Sequence, residues 1–132
     1  MNRVILFVSI LLIACNGNPK NYQKAENALD AGREFIGACL QGDFSRASYL
    51  MVQNEKNIER LKEIQGYYRQ KDKEGRQQYR LASITINEVT ELNADSTLIR
   101  YSNTFDKTPE VLLVLKQPDG WLVDLAAHKK IQ

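Results

Sequence analysis

"LASITINEVTEL", Leu81–Leu92, is the stretch at which the hydrophobic period of the chain changes from helical to two. Ile84, Ile86 and Glu88 fall on one face of an extended chain, with Ser83, Thr85, Asn87 and Val89 on the other, and β-branched residues are frequent. Downstream, Asn93-Ala94-Asp95-Ser96 reads as a turn, Thr97 to Phe105 as a second strand and Glu110 to Lys116 as a third. Gln117-Pro118-Asp119-Gly120 is a hairpin turn leading into a fourth strand, Trp121 to Ala126. Consecutive strands with short connections predict an antiparallel sheet.

Upstream the spacing is helical. Ala25, Ala28, Leu29, Gly32, Phe35, Ile36 and Cys39 form one apolar stripe, predicting a helix from Tyr22 to about Leu40. Gln41-Gly42 stops it with a left-handed cap, and Asp43 caps a short helix from Phe44 to about Met51. A third helix starts near Asn54, with Ile58, Leu61, Ile64 or Gln65, and Tyr68 on its apolar side. Arg69 to Gln78 has no apolar residue, holds four basic against two acidic side chains, and reads as a solvated helix end and a loop, with a basic patch for phosphate or lipid headgroups as the functional alternative. Helices followed by a strand meander give an α+β fold, with N-terminal helices packed on a curved antiparallel sheet of about four strands.

The 132 residues suit one domain, and 43% hydrophobic with 26% charged residues is globular composition. A net charge of +2 gives no electrostatic reason to expect nucleic acid. Arg3 precedes the apolar run Val4 to Ile13, which is too short for a bilayer needing roughly 20 apolar residues and reads as a secretory signal. Leu12-Ile13-Ala14-Cys15 resembles the lipobox of bacterial lipoproteins. That resemblance implies a signal peptide over 1–14, a diacylglycerol on the Cys15 thiol, a mature N-terminus at Cys15 and a stable membrane anchor by acyl chains. Residues 15–21 are then a flexible tether and 22–132 the domain. No acidic cluster follows Cys15, which favours a periplasm-facing anchor in the cell envelope. With Cys15 lipidated, Cys39 has no disulfide partner, and its place on the apolar stripe makes it a core residue.

"AGREFIGACLQGDFSRASYLM" (Ala31–Met51) and "VLLVLKQPDGWLVDL" (Val111–Leu125) resemble the first helices and the final hairpin of small lipoproteins of the nuclear-transport-factor-2-like superfamily. The resemblance covers Ala25 to Leu125 and implies a cone whose wide end takes a small apolar ligand, with Trp121 sealing the core. Some members are isomerases and dehydratases that use a pocket carboxylate and a Tyr donor. This makes Glu88, Glu110 and Asp124 candidate bases and Tyr101 a candidate donor; Tyr101, Glu110 and Trp121 are the expected pocket-lining residues. Asp124 alternates with Trp121, Val123 and Leu125 and is expected in solvent, and none of the acids has a second acid or His beside it in sequence.

One His, His128 in a basic tail, and one free Cys do not make a zinc site, and the phosphate-loop, nucleophile-elbow and dinucleotide patterns are missing. No metal or cofactor is implied. The expectation is therefore a non-enzymatic, lipid-anchored domain that binds a small apolar ligand or an envelope protein. The rivals are an isomerase- or dehydratase-type enzyme, and an envelope-assembly or immunity-type lipoprotein acting through an exposed apolar surface.

Overall fold

The computed structural model describes residues 21–127, and its chain passes from helix to strand where the hydrophobic period changes. Four helices come first: α1 (Ala28–Gln41), α2 (Phe44–Tyr49), α3 (Glu55–Gln70) and α4 (Lys73–Arg80). The strands β1 (Ile84–Asn93), β2 (Ser96–Asn103), β3 (Glu110–Gln117) and β4 (Gly120–Asp124) follow, and Leu125–Ala127 makes a 3₁₀ turn. Each strand pairs antiparallel with the next in the order β1-β2-β3-β4, an open meander. The fold is α+β.

Side-chain caps set the helix starts. α1 begins at Ala28 rather than near Tyr22 because Asn27 is extended and its side-chain oxygen accepts from the Asp30 amide at 2.8 Å. The Asp30 carboxylate in turn accepts from the Glu26 amide at 3.0 Å, so the donors exposed by the helix end are taken locally. Asp43 caps α2 as the sequence predicts, and Asn54, where the third helix was expected to start, caps α3. Gly42 ends α1 at φ 74°, and a Cβ there would lie 2.6 Å from the Tyr68 ring, so backbone and packing both require glycine.

The polar stretch from Arg69, expected as a solvated helix end and a loop, contains the end of α3 and then α4. Asp72 accepts from the Gly75 amide at 2.7 Å to start the helix, and Tyr79, 7% exposed, anchors its far end. One cap and one aromatic replace the apolar stripe that periodicity requires. α3 differs too: its buried residues are Asn57 and Leu61, while Ile58 is 40% exposed. Asn57 Nδ2 donates to Val52 O at 2.8 Å and its Oδ1 accepts from the Leu125 amide at 3.1 Å. A fully buried amide is thus bonded through both its nitrogen and its oxygen, joining α3 to the segment before it and to the turn after β4.

α1 crosses the sheet and touches all four strands. At Gly32 an added Cβ would fall 2.5 Å from Ile99 Cδ1, so the missing side chain lets helix and sheet close in. Phe35, Ile36 and Leu40 of α1 bury against Ile99, Leu112 and Val123. The segment after α2 covers the outer edge of β4: Val52 N donates to Val123 O and Val123 N to Leu50 O, at 2.9 and 2.8 Å.

In β1 the register passes from Ile86↔Tyr101 to Glu88↔Arg100, leaving Asn87 extra. This bulge inverts the alternation beyond it. Glu88, expected on the face of Ile84 and Ile86, lies instead with Arg100 on the opposite face, and Val89 takes the face of Ile99.

Candidate functional site

Tyr101 and Glu110 are cross-strand partners on β2 and β3, so their side chains leave the sheet on the same face. Tyr101 Oη donates to Glu110 Oε2 at 2.6 Å. The pair lies in the wall of a cavity of about 540 Å³ bounded by α1, α3, α4 and the ends of β2 and β3. Phe35, Ile36, Leu40 and Ile64 supply its apolar wall, and Arg60, Glu63, Tyr67, Tyr79 and Asp106 its polar one. A wall that sets apolar side chains beside charged and hydroxyl groups suits a small amphipathic molecule.

The connection from β2 to β3 shapes one side. Asn103 is buried, and its Oδ1 accepts from the amides of Phe105 and Asp106 at 2.9 and 3.1 Å. This Asx turn sets Asp106 in the cavity wall and stands the Phe105 ring edge-on to Tyr79, with centroids 5.3 Å apart. Every buried side-chain polar atom among the described residues has a partner.

Burial dominates the ionisations. It holds the Tyr101 hydroxyl well above its ordinary range, with the charge of Glu110 and the hydrogen bond to it adding in the same direction. The Cys39 thiol is pushed up by burial and then by Glu110, and Tyr79 by burial, then Cys39, Asp106 and Glu110. All three stay protonated at neutral pH. Tyr101 is a neutral donor, and Cys39, though it lines the cavity, has no thiolate to offer as nucleophile.

The expected site residues do not all converge. Tyr101 and Glu110 share the cavity, whereas Trp121 lines a separate groove with Tyr22, Tyr49 and Leu122, under the Lys116 ammonium 5.9 Å from its ring. That groove is about 600 Å³, but its charged groups Lys24 and Asp119 are exposed, and no buried ionisable pair faces it. Of the carboxylates, Glu88 pairs with Arg100 Nε at 3.2 Å on the far face of the sheet. Asp124 accepts from the Ala126 amide at 3.0 Å. Glu110 alone of the three reaches the cavity.

Sequence reasoning missed Glu63, Tyr67, Tyr79 and Asp106. The one available signal was aromatic: Tyr67, Tyr68 and Tyr79 stand in an otherwise polar stretch, too sparse for a period but dense for a loop. Among the described residues, no group of three or more His, Cys, Asp or Glu side chains is placed to hold a metal, and no helix is long and apolar enough to cross a membrane. Cys15, the segment before it and His128 lie outside the described residues. Comparison with protein-family models, curated proteins and solved structures finds no match.

Proposed function

We propose that this is a lipid-anchored cell-envelope protein whose domain holds a small, largely apolar molecule in the Tyr101–Glu110 cavity without chemical change. The observation that carries the binding role is the cavity itself, open space beside a part-buried hydrogen-bonded pair, Tyr101 and Glu110. Helices preceding a four-stranded meander, with the cavity between α1 and the sheet, support the nuclear-transport-factor-2-like cone as part of the same proposal. Anchoring rests on the short apolar run ending at Cys15, and with it a periplasm-facing position.

The binding role is tested with N-phenyl-1-naphthylamine, a neutral fluorophore that brightens in apolar surroundings. Saturable binding, abolished by filling the cavity with Ile64→Trp, is expected; absence of saturable binding overturns the reading. For the anchor, Cys15→Ala is expected to abolish incorporation of labelled fatty acid, and label retained by the variant refutes lipidation.

The Tyr101–Glu110 bond favours a second reading, an isomerase- or dehydratase-type enzyme with Glu110 as base. Against it, Tyr101 directs its proton to Glu110 rather than to a ligand oxygen. The enzyme reading requires turnover that Glu110→Gln removes while fluorophore binding persists.

A further inference from the structure

At the end of α3 the Lys71 side chain folds back over its own helix, and its Nζ lies 3.2 Å from the centroid of Tyr67, 4.8 Å from that of Tyr79 and 5.3 Å from that of Phe105. All three lie within the range of about 6 Å at which a ring face attracts a cation. The rings also brace one another, Tyr79 meeting Tyr67 and Phe105 edge-on at 6.2 and 5.3 Å. The Lys71 carbonyl accepts from Arg76 Nη1 at 2.8 Å, so its backbone is held where the helix ends while its side chain reaches the rings.

Two of the three rings, Tyr67 and Tyr79, are also cavity wall. The cavity carries three carboxylates, Glu63, Asp106 and Glu110, against one guanidinium, Arg60, which is engaged with Glu63 at 3.1 Å. An acidic, ring-lined chamber therefore adjoins a box that already holds an ammonium.

We infer that the cavity takes a small organic cation, a quaternary ammonium on an apolar body, whose head replaces Lys71 Nζ among Tyr67, Tyr79 and Phe105. This rests on the proposed ligand-binding role and names the ligand's class. The exchange conserves charge at the rings. A quaternary head makes no hydrogen bonds to water and is desolvated more readily than the lysine it displaces, and the lysine returns to solvent from the start of a surface connection. The apolar body lies along Phe35, Ile36 and Ile64.

The test uses the full chain and two probes of equal shape, benzyltrimethylammonium and its uncharged isostere neopentylbenzene, each displacing the neutral fluorophore. The cation is expected to bind about tenfold more tightly than the isostere. Lys71→Gln, which removes the internal competitor, should tighten the cation several-fold and leave the isostere unchanged. Phe105→Leu, at a site already 36% exposed and so tolerant of change, should weaken only the cation. Equal affinities for the two probes, or a cation affinity indifferent to Phe105→Leu, overturn the cation inference while fluorophore binding keeps the cavity reading intact. Loss of the cavity reading shows itself separately, as failure of the fluorophore to bind the unaltered protein.

Discussion

Two polar side chains, Asn57 on α3 and Tyr101 on β2, are taken out of water in different ways. Asn57 is 0% exposed, bonded through both ends of its amide, and is not among the residues that line the cavity. Tyr101 is 6% exposed and bonded through its hydroxyl, yet it borders about 540 Å³ of open space. Burial and a satisfied hydrogen bond are common to both, so neither property marks a site. What separates them is whether a ligand could reach the polar group. Asn57 is architecture; Tyr101 and Glu110 are available for recognition.

The largest effect expected from this contrast is at Asn57. Asn57→Ala strands the Val52 carbonyl and the Leu125 amide in the interior and leaves a void, so urea denaturation should show a loss of about 3 kcal/mol. Asn57→Leu refills the volume but not the bonds and should recover little. Fluorophore affinity of the molecules still folded should be unchanged. A loss well under 1 kcal/mol would place Asn57 in the same category as an ordinary exposed amide and dissolve the comparison.

The groups around the cavity make a second, pH-dependent prediction. Cys39, Tyr79 and Tyr101 all have folded-state ionisations raised above their ordinary values of 9.0, 10.0 and 10.0. Above those values the unfolded chain loses protons that the folded one keeps, so stability is intact at neutral pH and falls as pH rises. Denaturation at pH 10 should show about 2 kcal/mol less stability than at pH 8. Cys39→Ala should delay the onset, because the thiol ionises first in the unfolded chain. A flat profile would mean that these groups are more hydrated than their burial implies.

Tyr101→Phe gives a smaller effect and sharpens the contrast with Asn57. It removes one hydrogen bond, but the Glu110 carboxylate left behind borders a space that water can enter, so the cost should be about 1 kcal/mol by denaturation. A loss as large as that of Asn57→Ala would mean that the cavity stays dry and closed.

Much of the frame is legible in the sequence because it rests on local chemistry. Gly42 and Asp43 are caps whose function is complete within a few residues, and the alternation in β2 to β4 follows from one face being buried. α4 is not legible, since a single buried Tyr79 gives no period. Nor is the role of Asn57, whose partners Val52 and Leu125 lie on either side of it at different sequence distances and meet only in the folded chain. The cavity was half legible: Tyr101 and Glu110 were readable as strand residues of the right chemistry, but Trp121 belongs to the other groove. The aromatic box draws Tyr67, Tyr79 and Phe105 from two helices and a loop, and no pattern in the chain announces that.

Glu88 shows how one residue can change such a reading, and it carries the smallest predicted effect. In strict alternation it would share the face of Ile86 and, with it, of Tyr101, as a second acid near the cavity. The extra residue Asn87 turns it to the far face, where it meets Arg100 with both side chains exposed. An exposed pair of this kind gains little from Coulomb attraction after screening and side-chain entropy, so Glu88→Gln should cost at most about 0.5 kcal/mol by urea denaturation, and less at high salt. Fluorophore affinity should not move, in contrast to Glu110→Gln, which alters a wall of the cavity. A change in affinity on Glu88→Gln would mean that the bulge does not hold β1 in this register, and that the cavity has two acids on its sheet face rather than one.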